Sequence, residues 1–368
     1  MSHFENSENV DESDRQKVSE VLINFFGSNP TSIQRLPAGR SNRVYLCSIQ
    51  SRNNNEQYLI VRLYGSSFIE ASQSASHNRE KEVLICFIAS EKRIGPKLVG
   101  LFDGGRIEEF VPSSHPTCDQ YEGPSVFKVL AEKIAAIHSI NMPVPKKWDS
   151  NSMLNGMFEA FSSNGKLDDF RSHRISNPFS ESLMSFDFRE EIDFIAPLFS
   201  LYPSKLVFCH NDLNRTNILL RNDSTGLDLS RKMVLIDFEY AAYGYRWSDF
   251  VVVFAEVCFC HWKESGEFMV SKYPDQKKRL FMAKSYIQTL NALSRSHDQD
   301  SLREEEQIKR LEAEMAFGIL PACMINILWR LSHQQIDQND QKKLWEEAYY
   351  WLKLYKKMKI DFMRDHGQ

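Results

Sequence analysis

Residues 207–220 read VFCHNDLNRTNILL, and residues 233–240 read MVLIDFEY. The first stretch opens with an apolar strand, predicted over 205–209, and turns polar at His210-Asn211-Asp212. It becomes apolar again directly after Asn217, with a second strand over 218–220. A third apolar strand, over 233–236, ends on Asp237. Carboxylates at strand ends beside an amide suit phosphoryl transfer. One carboxylate orients and deprotonates an attacking hydroxyl, while the other, with the amide, holds Mg²⁺ on the phosphates. Asn and Asp also cap turns beside core strands, and a lone Asp-x4-Asn would carry little weight. Its setting between apolar strands, with an Asp-Phe following in order, gives the pattern its meaning.

The same order occurs in protein kinases as HRDxxxxN…DFG, with Asn211 here in place of Arg and Glu239 in place of Gly. Protein kinases also place a Lys on the third strand, paired to a Glu on the following helix. Upstream, strands are predicted over 33–37, 43–50 and 58–63, a helix over 78–93, and strands over 97–102 and 106–111. This β-β-β-α-β-β order gives a small, mostly antiparallel sheet carrying one helix. Its third strand bears Arg62, and the helix bears Glu80 and Glu82 with an apolar face of Val83, Leu84, Phe87 and Ile88. Arg grips phosphate oxygens bidentately and keeps its charge when buried; Glu82 is the partner expected for it. Between the first two strands, Pro37-Ala38-Gly39-Arg40-Ser41-Asn42-Arg43 offers backbone N–H groups and a hydroxyl to phosphates, although a plain hairpin turn fits its composition equally well.

The remaining chain is consistent with a globular protein. Of 368 residues, 42% are hydrophobic and 26% charged, enough for a substantial core. The net charge of −4 gives no global reason to bind nucleic acid or anionic lipid. Seven scattered cysteines, an odd number with no CxxC pair, point to a reducing compartment and a cytoplasmic location. The acidic start, MSHFENSENVDESD, is expected to be disordered and lacks a signal-peptide core. A short amphipathic helix follows over 15–26, with Val18, Val21, Leu22 and Phe25 on one face. The longest apolar run, 250–260, contains Glu256 and is too short to span a bilayer, so no integral membrane segment is expected. Cys209-His210 suggests a thiol nucleophile, but strand neighbours point to opposite faces, and His210 is read as fixing the loop. Beyond residue 115 helical periodicity dominates, and only the three strands quoted above interrupt it.

Taken together, the segments PAGRSN, LIVRLYG, IGPKLVGLF, GRIEEFVPS, FCHNDLNRTNILL and LIDFEYAAYGYRWSDF resemble the choline/ethanolamine kinase family from about Leu36 to the C-terminal helix. The resemblance implies an α+β, protein-kinase-like fold with two lobes. One is a small antiparallel β-sheet N-lobe with one helix; the other is a larger, mainly helical C-lobe. Residues 1–14 would be a disordered N-terminus, 15–112 the ATP-binding lobe and 113–368 the catalytic and substrate-binding lobe. It further implies Mg²⁺ and ATP, a small amino alcohol as acceptor, and a homodimer. Matched position by position, Asp212 becomes the base, and Asn217 and Asp237 the Mg²⁺ ligands, all three catalytic. Residues Pro37, Ala38, Gly39, Arg40, Ser41, Asn42 and Arg43, with Arg62 held by Glu82, Glu109 in the hinge, and Asp237, fall on nucleotide contacts. Asp212, Asn214, Tyr240, Glu256 and Trp329 fall on the substrate pocket.

The match has departures. Asn214 stands where the family has Gln, and Glu109 replaces another Gln. SDFVVVFAEV loses an Asn and a Trp, Ser332 replaces a second Trp, and a pocket Tyr becomes His261. Trp262 and Tyr349 are the candidates to compensate. The function expected is ATP-dependent phosphorylation of choline and/or ethanolamine at the start of phospholipid head-group synthesis. An ethanolamine-preferring enzyme and an aminoglycoside-like kinase are the alternatives, and a non-catalytic pseudokinase is a third.

Overall fold

The computed structural model describes residues 10–36, 42–50, 55–65, 75–163, 178–222, 226–293, 303–332 and 338–366. Ten strands lie among them: β1 Pro30–Leu36, β2 Asn42–Gln50, β3 Glu56–Tyr64, β4 Leu98–Phe102, β5 Gly105–Glu109, β6 Ser113–Ser114, β7 Leu206–Cys209, β8 Ile218–Arg221, β9 Met233–Leu235 and β10 Ala242–Tyr245. The chain divides into two compact units. The first joins Met1–His115 to Asn217–Glu239, and the second joins Pro116–Thr216 to Tyr240–Gln368.

The first unit is built on a five-stranded antiparallel sheet of order β1-β2-β3-β5-β4. Period-2 alternation sorts its side chains onto two chemically different faces. Tyr45, Cys47, Ile49, Leu59, Val61, Leu63 and Ile107 form an apolar core on one face with Val18, Val21 and Leu22 of the helix Glu12–Phe26. That helix begins three residues earlier than its periodicity suggests, because Asp11 caps it by accepting from the Ser13 N–H. Phe25, expected on the apolar face, is 43% exposed and lies over Gly100, where a Cβ would come within 2.5 Å of its ring.

The opposite sheet face carries charge. The register sets Arg62 of β3 directly across from Arg106 of β5, with Glu108 two residues along on the same side. Like charges in direct cross-strand opposition are unfavourable, so this face needs carboxylates. The helix Ala75–Glu91 supplies one of them. Its buried positions are Ile85, Cys86 and Ala89, in line with Glu82, whereas Phe87 is 50% exposed. The apolar face expected at Val83, Leu84, Phe87 and Ile88 is therefore rotated, because the polar face it meets accepts small residues and a carboxylate. The sheet accordingly carries a helix on each face.

Strands β8 and β9, assigned from the sequence to the second lobe, group with the first unit. They form a three-stranded sheet of order β6-β8-β9, with β6, a strand the sequence did not announce, pairing Ser113 with Arg221. Further ties are the Leu235 N–H to the Ile94 carbonyl at 3.0 Å and the Asn222 N–H to the Pro112 carbonyl at 2.8 Å.

In the second unit β7 pairs antiparallel with β10, also unannounced by the sequence. Helices make up most of the rest. The longest, Glu304–Ser332 and Gln338–His366, have 29 residues each. The helix Glu304–Ser332 is long and apolar enough to cross a membrane by length and composition, but it is mostly buried as a core helix. Gly318 in it lets the Trp247 ring sit where a Cβ would be 2.4 Å away. Arg246 and Glu314 form a buried two-bond ion pair.

Candidate active site

The loop after β7 is fixed by one buried carboxylate. Asp249, in the first turn of the helix Trp247–Ser265, is fully buried and accepts the backbone N–H groups of His210 at 3.0 Å and Asn211 at 2.7 Å. It also meets His138 Nε2 at 3.1 Å, and His138 Nδ1 lies 3.0 Å from the Tyr286 hydroxyl. Burial pushes the Asp249 pKa upward, but the hydrogen bond and charge of His138 and the charge of His210 outweigh it and hold the carboxyl below its ordinary range. His210 is fully buried, and its Nδ1 lies 3.3 Å from the Asp212 N–H, the loop-fixing role expected for it.

These anchors bend the chain sharply. Asn211 has φ +66°, a left-handed conformation that Asn tolerates better than most residues. Its side-chain amide donates to the Tyr240 carbonyl at 3.1 Å, bracing the loop where protein kinases have Arg. Asp212 follows, half-buried, with its Oδ1 accepting from Asn214 Nδ2 at 3.0 Å. The Asn214 carbonyl oxygen is itself held by the Thr216 N–H at 3.0 Å. Asn214 is thus placed to aim the Asp212 carboxylate. His138, Cys209 and Asp249 lie close enough to suggest a metal cluster, but both ring nitrogens of His138 are occupied and burial drives the Cys209 thiol far up. All seven cysteines are buried and free.

Asp249→Asn leaves one acceptor oxygen where two served the buried N–H groups of His210 and Asn211 and His138, and sets an NH2 donor against the rest, so the expected cost is about 3–5 kcal/mol. The folded pKa is depressed, so the stabilisation is fully present above the unfolded value of about 4 and fades as pH falls through the folded value. Denaturant titrations of wild type and Asp249→Asn should differ most near neutrality and converge in acid. A constant difference between pH 7 and 3 would contradict this.

Nucleotide-type residues gather in the first unit. The hairpin β8–β9 pairs Ile218 with Leu235, so Asn217 and Asp237 emerge at the same end of it, and the Ile236 N–H donates to the Asn217 carbonyl at 3.0 Å. Asp237 has φ +65°, and Arg62 Nη1 lies 3.4 Å from its Oδ1. Among the described residues, the buried Arg62 Nε has no hydrogen-bond partner. Arg62, Cys86, Gly95, Pro96, Ile236 and Asp237 are among the residues lining a small cleft there. A guanidinium N–H without a recorded partner beside the Asp237 carboxylate is a set that fits phosphate together with a hard cation. Mg²⁺ characteristically takes one or two protein oxygens and completes its shell from phosphate and water.

The expected pairing of Arg62 with Glu82 is not what forms. Glu82 receives Arg106 Nη1 at 2.6 Å, and Arg106 Nε donates to Glu108 at 2.7 Å. Arg106 is 1% exposed. Glu108 is held below its ordinary pKa, against the effect of burial, by the charges of Arg106 and then Arg62. Arg62 lies across the strand pair from that buried network, and its own recorded side-chain partner is Asp237. The alternation Arg106-Ile107-Glu108 in β5 was the available signal. Glu80 is exposed, which leaves Glu82 as the inward acid.

Other nucleotide candidates divide. Pro37, Ala38, Gly39, Arg40 and Ser41 lie outside the described residues. Asn42 opens β2, and Arg43 beside it forms an ion pair with Asp14 at 2.8 Å, a side-chain commitment to the first helix. Glu109 is likewise engaged, accepting from Arg221 at 2.7 Å and the Lys97 N–H at 3.1 Å, so it ties β5 to β8.

The acceptor candidates sit in the second unit. Tyr240 is 37% exposed and Trp329 half-buried, with the Arg330 guanidinium 5.6 Å from the Trp329 ring. Glu256 is buried, with Lys263 Nζ 3.3 Å away. His261, where the family has Tyr, lies 3.4 Å from Glu122. Trp262 and Tyr349 pack against Tyr350, so they belong to an aromatic cluster with Phe259, Phe268 and Trp351.

The sequence profile of the choline/ethanolamine kinase family matches residues 33–363. The chain belongs to the choline/ethanolamine kinase family. Mouse choline kinase alpha is 31% identical over 322 residues, covering 81% of this chain and 68% of that relative. Among solved structures, the choline kinase of Cryptosporidium parvum superposes with a TM-score of 0.66 at 18% identity, covering 96% of this chain and 97% of that one. The ethanolamine kinase of Plasmodium vivax gives 0.61 at 21% identity, over 88% and 82% of the two chains. At these identities the superpositions show the fold, which is protein-kinase-like. The chain is a kinase of this family.

Proposed function

We propose that this protein transfers the γ-phosphoryl group of ATP to the hydroxyl of choline and/or ethanolamine, as a cytoplasmic enzyme at the start of phospholipid head-group synthesis. The observation that carries this reading is the intact loop: Asp212 aimed by Asn214 on a backbone fastened to Asp249. Such a carboxylate accepts the hydroxyl proton as the oxygen attacks phosphorus. Arg62, 3.4 Å from Asp237, holds phosphate oxygens. Asn217 and Asp237 supply oxygen ligands for Mg²⁺, which when bound neutralises charge developing on the phosphoryl group. Glu256, Tyr240 and Trp329 are assigned to the acceptor's ammonium. A buried carboxylate offsets its charge, and each aromatic face adds about 0.5–2 kcal/mol.

The test is ADP release by purified protein with MgATP and either choline or ethanolamine, using Asp212→Asn as the blank. Acceptor-dependent ADP release absent from the blank is expected. Release that ignores both acceptors, or that the blank retains, would refute the assignment.

A further inference from the structure

Glu256 already holds a cation. Lys263, two helical turns further along Trp247–Ser265, places Nζ 3.3 Å from Oε1 and 3.4 Å from Oε2 of Glu256. Helical side chains lean toward the N-terminus, so a long Lys at i+7 spans a rise of about 10.5 Å backwards along the same face. The Glu256 side chain is 7% exposed and that of Lys263 is 43% exposed. The buried partner requires a counter-charge, whereas the exposed one returns to water at little cost. Among the described residues, Lys263 is the cation recorded at the Glu256 carboxylate. Nearby acids have other cations: Glu122 meets Lys272 at 3.0 Å, and Glu264 meets Arg215 at 3.2 Å.

We propose that Lys263 is a resident competitor for the acceptor's ammonium, seated on Glu256 until substrate displaces it, and that it weakens the binding of every acceptor by a common factor. The inference rests on the assignment of Glu256 to ammonium binding. A primary ammonium replaces the N–H···O bonds of Lys263 in kind. A trimethylammonium has no N–H and offers only charge and methyl contact, so exchanging it for Lys263 forfeits charge-assisted hydrogen bonds. The aromatic faces that would compensate are fewer here, with His261 turned to Glu122 and Trp262 packed on Tyr350.

Lys263→Met keeps an unbranched apolar stem one atom shorter and removes the charged nitrogen. The KM values for choline and ethanolamine are expected to fall together by about 3–10-fold, with kcat changing little. Lys263→Gln should act in the same direction, whereas Lys263→Arg should keep constants close to wild type. Melting curves establish that each variant is folded. An unchanged or raised choline KM in both neutral variants overturns the proposal. Glu256→Gln separates the two levels: it should raise both acceptor KM values about tenfold or more. If it does so while the Lys263 variants stay flat, competition alone is wrong. If it leaves both KM values unchanged, the acceptor-site assignment falls and the inference with it.

Discussion

Asp212→Asn should lower kcat by about 10²–10⁴ while leaving the KM for ATP within a few-fold, the signature of a lost general base. The substitution is close to isosteric, and the loop that carries it is held by groups other than its carboxylate. Asp249 anchors the backbone at His210 and Asn211, Asn211 braces the loop on the Tyr240 carbonyl, and Tyr121 donates to the Leu213 carbonyl at 3.1 Å. Asn214, which donates to Asp212, finds an acceptor equally in an amide oxygen. Loss of rate without loss of melting temperature is therefore expected. Steady-state kinetics alongside a thermal melt check this; a variant that keeps near-wild-type kcat would remove Asp212 from the chemistry.

Asp237→Asn should reduce kcat/KM for ATP by about 10³ or more, because stabilisation of phosphoryl charge by a held cation amounts to several kcal/mol. Asn is preferred to Ala for this experiment because φ at position 237 is +65°, a conformation Asn adopts readily and Ala does not. The variant also takes the carboxylate away from Arg62, 3.4 Å distant, leaving a buried guanidinium without its charge partner. The Mg²⁺ titration of activity reports the effect directly: its midpoint should move to higher concentration. An unchanged midpoint would show that Asp237 pairs with Arg62 only and holds no metal.

The residues proposed for the chemistry are readable in the sequence because they are local in it. Asp212 lies on the loop after β7, and Asn217 and Asp237 at one end of the β8–β9 hairpin, positions that spacing and strand polarity make visible. Pairings across the sheet are not. Arg62 and Glu82 read as a couple along the chain, yet strand register sets Arg106 opposite Arg62 and gives Glu82 to Arg106. One-dimensional spacing carries no register, and the helix phase that turns Cys86 and Ala89 inward is visible only against the polar face it meets. Glu109, a nucleotide contact only by resemblance to the family, has its carboxylate engaged by Arg221, 112 residues away, a pairing that sequence spacing does not show. Asp249 was quoted within a recognisable segment but assigned no role, because a buried acid accepting backbone N–H groups leaves no periodic trace. Lys263, seven residues after Glu256, was open to detection from helical spacing alone.

The most direct measurement is ³¹P NMR of purified protein incubated with MgATP and choline or ethanolamine, following the products rather than ATP loss. The account predicts one new phosphomonoester resonance growing in step with ADP, and its absence in Asp212→Asn. ATP left intact with both acceptors, or hydrolysed to inorganic phosphate with neither acceptor phosphorylated, would contradict it.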